Sequence, residues 1–190
     1  MPTELAISTK TCIVEQDGNV LIVTLNRPEA KNAFNPEMLL GLYKAWRLLD
    51  EDDNLYCAIL TANGDTFCAG MDLKVGPDGD QGTTQEFMEL MGTVPNIHWQ
   101  ALLRENRPCK PLLLAVEGYA LAGGTEILQG TDIRVAAEDA IFGVTEVARC
   151  FYIPFRVRPF VYASKFPIVW LRRFYYLVSM CLPSRPWNLV

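Results

Sequence analysis

Two apolar, β-branched runs, "TCIVEQ" (11–16) and "VLIVTLN" (20–26), flank Asp17-Gly18-Asn19. Runs of this kind around a turn that tolerates positive φ predict a β-hairpin. Residues 20–25 are apolar at nearly every position, which predicts a strand covered on both faces. Asn35-Pro36 reads as a helix N-cap followed by the first helical residue. Met38, Leu39, Leu42, Trp46 and Leu49 follow at helical spacing and form one apolar stripe. "DEDDN" (50–54) then closes that helix in solvent.

The pattern next predicts a strand over 56–62, "YCAILTA", a turn at Asn63-Gly64-Asp65, and the segment "FCAGMDLK" (67–74). "VGPDGDQGTT" (75–84) is polar and rich in glycine and reads as a mobile loop. Helices are expected over 85–91 and 95–106. Pro108 and Pro111 bracket the start of a strand over 112–117. "LAGGTE" (121–126) follows, opening a helix over about 123–129, with further strands at 133–137 and within "AIFGVTEV" (140–147). No internal repeat is evident. Strands alternating with helices predict an α/β architecture.

Composition divides the chain. Its 190 residues carry a net charge of −5, half of them are apolar, and the length suits one domain with a sizeable core. Residues 1–149 hold all the acids and 11 of the 17 Lys/Arg, giving −11, whereas residues 150–190 hold six basic residues, no acid and no glycine, giving +6. That tail also holds 11 of the 20 aromatic residues. The two parts are therefore read separately, as a core (1–149) and a basic aromatic tail (150–190). The acidic balance argues against a nucleic-acid binder. Six scattered cysteines without a Cys-x-x-Cys pair, and one histidine, argue against a metal site and a disulfide scaffold. "MPTELAISTK" lacks the basic start and apolar block of a secretory signal. "IVWLRRFYYLVSMCL" (168–182) is too short, and too charged at Arg172-Arg173, to span a membrane. A cytoplasmic protein is expected.

The candidate chemistry lies at strand ends. "CAGMD" and "LAGGT" each place small residues beside a strand terminus, where a ligand can approach the backbone closely. N–H groups converging from two such turns would form an oxyanion hole. Taken alone, both also read as ordinary tight turns. Glu126 and Glu146 follow the second turn, twenty residues apart, and a pair of carboxylates on one pocket can serve as general acid and general base. His98 has no acid or cysteine at ligand spacing and reads as an ordinary helix-face residue. Neither a Gly-x-Ser-x-Gly elbow nor a Walker-type loop is present.

In order and spacing, "VTLNRPEAKNAFN" (23–35), "FCAGMDL" (67–73) and "VEGYALAGGTEILQGTDIRVAAEDAIFGVTEV" (116–147) resemble the crotonase (enoyl-CoA hydratase/isomerase) family. The resemblance covers roughly residues 12–149. It implies an α/β, crotonase-like spiral of ββα units, here truncated before the C-terminal helical region, that binds an acyl-CoA thioester. It implies oxyanion-hole N–H groups at Met71 and Gly123, and catalytic glutamates at Glu126 and Glu146. It implies substrate contacts from Ala69, Gly70, Asp72, Leu73 and Lys74 on one segment, and from Arg27, Ala30 and Lys31 on another. The activity implied is hydration of a 2-enoyl-CoA, with other acyl-CoA isomerase or dehydratase chemistry, or an inactive remnant, as alternatives. Coenzyme A belongs to the substrate, so no separate cofactor or metal is expected; a homotrimer or hexamer is. After Arg149 the family's glycine-rich sequence is absent, as an altered reading frame would produce.

Overall fold

The structure, a computed structural model, describes residues 2–74 and 81–144, with backbone alone at 81–84. Glu146 and the 150–190 tail lie outside the described residues. So does the seam after Arg149, and so do residues 75–80 of the expected mobile loop.

The hairpin forms as its pattern predicts. β1 (Thr3–Glu4) pairs antiparallel with β2 (Cys12–Asp17), and β2 with β3 (Val20–Leu25), through a turn in which Gly18 has φ +59°. β3 is covered less evenly than expected. Leu21, Val23 and Leu25 are fully buried, while Val20 and Ile22 on the other face are half-buried.

α1 (Pro36–Glu51) starts where Asn35 accepts the Met38 N–H through its side chain at 2.9 Å, satisfying one of the donors that a helix start leaves open. Its stripe of Met38, Leu39, Leu42, Trp46 and Leu49 is buried. The Trp46 indole donates to Ala101 O at 2.8 Å, so its one polar atom is satisfied inside the core.

β4 (Cys57–Ala62), β5 (Leu112–Val116) and β7 (Ile133–Ala136) extend the sheet in parallel, giving the order β1-β2-β3-β4-β5-β7. A second layer sits outside that sheet. β6 (Tyr119–Leu121) pairs parallel with β8 (Ile141–Gly143), and single bridges join Thr66 to Gly118, Cys68 to Ala120 and Phe34 to Met71. Each of β4, β5 and β7 is thus followed by a short extended segment, and these segments stack side by side. This is the ββα spiral that the sequence implied.

The helices between 81 and 107 differ from expectation. α2 spans Gln81–Thr93, so "QGTT" belongs to the helix and not to the loop. α3 is only Ile97–Ala101. Asn96 and Leu103, both at positive φ, bound it on either side, and an apolar pattern does not reveal left-handed residues of this kind. α4 (Gly123–Glu126) is one turn, continued by a 3-10 turn over Ile127–Gly130.

Candidate active site

The two glycine turns touch. Gly70 has φ +100°, and a Cβ there would stand 2.7 Å from Ala122 Cβ and 3.4 Å from Gly123 N. A side chain at Gly70 is therefore excluded by conformation and by space.

Most of the N–H groups on the two turns have acceptors within the protein. On the first turn, Ala69 N–H donates to Lys31 O, Gly70 N–H to Cys68 Sγ and Asp72 N–H to Phe34 O. On the second, Ala122 N–H donates to Gly143 O at 2.7 Å, and Thr125 and Glu126 N–H both donate to Ala122 O. Among the described residues, no protein acceptor takes the Met71 or the Gly123 N–H. The Leu73 and Gly124 N–H groups on the same turns likewise have no acceptor among the described residues. Unused, preorganised N–H donors on adjoining turns are what stabilisation of a developing oxyanion requires.

Backbone strain maintains the second turn. Ala122 has φ 49° and ψ −122°, a region that costs a residue with a side chain about 1–3 kcal/mol. Its carbonyl and N–H are both bonded, which holds the turn in place. Gly124 serves packing. A Cβ there would lie 2.5 Å from Cys68 O, so α4 rests directly on the first turn. Gly123 has no such steric need, because its added Cβ would make ordinary contacts, 3.5 Å from the Phe34 ring and 3.8 Å from Gly70 Cα.

Several neighbours act as braces. Arg27 Nη1 lies 2.5 Å from Asp72 Oδ2 and donates to Ala33 O at 3.3 Å, tying the 27–33 segment to the first turn. Burial pushes the Asp72 carboxyl up. The Arg27 hydrogen bond, the Lys74 N–H and the two nearby cations outweigh this and hold it below the usual range. Lys31 Nζ meets both Asp65 oxygens at 2.9 Å in solvent. Ala30 ends a 3-10 turn over Pro28–Ala30. Leu73 and Met71 are exposed, 71% and 45%, on the outer side of the first turn.

Three braces, Asn32, Thr125 and Arg104, were not singled out in the sequence. The Asn32 side chain is wholly buried; its oxygen accepts Arg27 N–H at 2.7 Å and its nitrogen donates to Asn63 O and Thr66 O at 2.8 and 2.7 Å. Buried Thr125 places Oγ1 2.5 Å from Ala120 O and 3.0 Å from Gly143 O, and accepts Gly143 N–H at 3.2 Å. It ties α4 to β6 and β8. Glu126 ends α4 with its side chain only 12% exposed, and Arg104 Nη1 lies 3.6 Å from its Oε2. Each is a polar residue in an unremarkable local pattern, so only the fold reveals the partner.

Among the described residues, no three His, Cys, Asp or Glu side chains cluster as a metal site, and no helix is long and apolar enough to cross a membrane.

Comparisons with known proteins show the family. A family model described as enoyl-CoA hydratase/isomerase matches residues 15–163, past the compositional seam after Arg149. The chain belongs to the enoyl-CoA hydratase/isomerase family. It is 49% identical over 140 residues to enoyl-CoA hydratase EchA19 of Mycobacterium tuberculosis, covering 74% of this chain and 51% of that one. It is 38% identical over 151 residues to a mevalonyl-coenzyme A hydratase of Aspergillus fumigatus, covering 78% and 53%. A crystal structure of an enoyl-CoA hydratase from Mycobacterium tuberculosis matches with a TM-score of 0.56 at 41% identity, over 75% of this chain and 52% of that one. A carnitinyl-CoA dehydratase from Mycobacterium avium matches with a TM-score of 0.58 at 33% identity, over 74% and 52%. The chain thus spans about half the length of these family members.

Proposed function

We propose that this chain carries the oxyanion hole and the first glutamate of an enoyl-CoA hydratase, and that its substrate is a 2-enoyl-CoA thioester. The observation that carries the reading is the pair of N–H groups, Met71 and Gly123, that have no acceptor among the described residues and sit on turns in direct contact. The hydratase names of the similar proteins support it.

In this reading the thioester oxygen accepts both N–H groups. Water adds its oxygen to C3, the π electrons move toward the carbonyl, and the enolate oxygen gains negative charge between the two donors. Each donor of this kind contributes about 3–4 kcal/mol to the transition state. Glu126 acts as one of two carboxylates that orient and deprotonate the water; Glu146 is the other, and the pair returns a proton to C2. Acid–base assistance of this sort contributes roughly 10²–10⁴ in rate. Ala69, Gly70, Leu73 and Lys74, with Ala30 and Lys31, form the coenzyme A side. The Arg27–Asp72 pair fixes the wall between them. The catalytic elements of this reading lie in 1–149. Assembly into a trimer or hexamer in the cytoplasm goes with this reading.

The same hole and glutamates also suit removal of water from a 3-hydroxyacyl-CoA, a reading favoured by the likeness to the carnitinyl-CoA dehydratase. The test is loss of the conjugated thioester absorbance of crotonyl-CoA with the 190-residue chain, beside Glu126→Gln and Glu146→Gln. Hydration abolished in both variants supports the assignment. Full hydration by Glu126→Gln removes it.

A further inference from the structure

α3 ends in a Schellman motif. Arg104 N–H donates to Trp99 O at 2.9 Å and Leu103 N–H to Gln100 O at 3.0 Å, the two bonds that close such a helix end. The left-handed residue inside it is normally glycine, yet here it is Leu103, at φ +59° and 3% exposed. A left-handed leucine costs about 1–2 kcal/mol in backbone energy. Its side chain occupies the space left by Gly130, where an added Cβ would stand 2.1 Å from Leu103 Cβ. The turn is therefore locked from both sides.

The turn folds Arg104 back over its own helix. The guanidinium lies 4.3 Å from the Trp99 ring centroid, within cation–π range, and reaches Glu126. The planar guanidinium has one face on an aromatic ring and one edge near a carboxylate, an arrangement that lysine's flexible stem does not reproduce. Two neighbouring charges have partners of their own. Glu105 binds the Asn96 amide at 2.9 and 3.1 Å, and Arg107 pairs with Asp132 at 3.4 Å. Burial, opposed by Glu105 and aided by Arg104, pushes the half-buried His98 imidazole below its usual value, leaving it neutral near pH 7. Glu146, the remaining acid of the proposed pair, lies outside the described residues.

We propose that Arg104 is a positioning residue for the reaction: stacked on Trp99, it fixes the Glu126 carboxylate and favours its ionised, water-activating form. This inference rests on the hydratase reading above, but one arm of its test does not depend on activity. In that arm, carboxyl-carbon NMR of the full chain follows the titration of Glu126, assigned by the signal missing in Glu126→Gln. Loss of an opposite charge within about 4–6 Å raises a carboxylate's midpoint, so Arg104→Gln is expected to move it up by roughly half a unit or more. Arg104→Lys is expected to recover part of that shift, and Trp99→Leu, which frees the guanidinium, to lose part of it. In the kinetic arm, the acid limb of the crotonyl-CoA kcat profile moves to higher pH in Arg104→Gln. There kcat falls about tenfold, within the range of acid–base assistance, while KM stays within about twofold. An unmoved Glu126 titration in Arg104→Gln overturns the proposal, and so does an unmoved acid limb in a variant that still hydrates. A chain inactive toward crotonyl-CoA whose Glu126 titration still moves overturns the hydratase reading and leaves only the Arg104–Glu126 coupling standing. Should Arg104→Gln not fold, Arg104→Met and Trp99→Leu carry the same comparison.

Discussion

The two glycines of "LAGGTE" should respond oppositely to alanine. At Gly124 the new methyl would lie 2.5 Å from Cys68 O, 2.8 Å from Cys68 Cβ and 3.1 Å from Cys68 C. Backbone cannot step aside as a flexible side chain can, so α4 must lift from the first turn. Forcing a methyl into a packed site costs about 1–3 kcal/mol. Restricting the unfolded chain returns roughly 0.4–1 kcal/mol. A net loss of about 1–2 kcal/mol remains, which lowers the melting temperature by roughly 2–8 °C for a chain of this size. At Gly123 φ is not positive and the nearest atoms, in the Phe34 ring, are 3.5 Å away. Gly123→Ala should therefore keep or gain up to about 1 kcal/mol. Its methyl, however, points into the gap between the turns, 3.8 Å from Gly70 Cα, so crotonyl-CoA hydration should fall by tenfold or more, roughly 1.4 kcal/mol of transition-state binding. Thermal unfolding and initial rates on the same samples separate the effects. A Gly124→Ala protein as stable as wild type, or a Gly123→Ala protein destabilised as much as its neighbour, would refute the division of labour.

Further consequences follow from the braces. Asn32→Ala orphans the buried Thr66 carbonyl and removes the partner of the Asn63 carbonyl and of the Arg27 N–H, so denaturant unfolding should show a loss of about 1–3 kcal/mol. The folded Asp72 carboxyl titrates below its unfolded value, so its stabilisation is complete above about pH 4 and drains as pH falls through the folded value; Asp72→Asn should flatten that acid limb of the stability curve. Burial pushes the Cys12 and Cys68 thiols up to about 12. At pH 8, alkylation read by mass spectrometry should mark exposed Cys109 quickly, and Cys12 and Cys68 only after unfolding.

Much of this was legible in sequence because it depended on neighbours along the chain. The hairpin, α1 with its Asn35 cap and the parallel strands each follow from a local period or capping residue. So does the placing of small residues at the two turns. What escaped depended on contacts distant in sequence. β6 is three residues long and signals itself only by pairing with β8, a strand that the pattern of 140–147 did predict. α3 is less than half its expected length because Leu103 accepts a left-handed backbone that Gly130, far along the chain, makes room for. The strain at Ala122 has no composition signal either, since alanine is an unremarkable choice at most turns. Arg104, four residues past a predicted helix centre, looks like surface charge until the turn brings it to Glu126.

The central claim is that the Met71 and Gly123 N–H groups receive a thioester oxygen, and carbonyl polarisation tests it most directly. Crotonyl-CoA labelled with carbon-13 at C1 would be bound to the Glu126→Gln chain, in which turnover is slowed. The account predicts a downfield shift of the C1 resonance on binding, diminished in Gly123→Ala. A bound thioester whose C1 resonance stays at its solution position would contradict it.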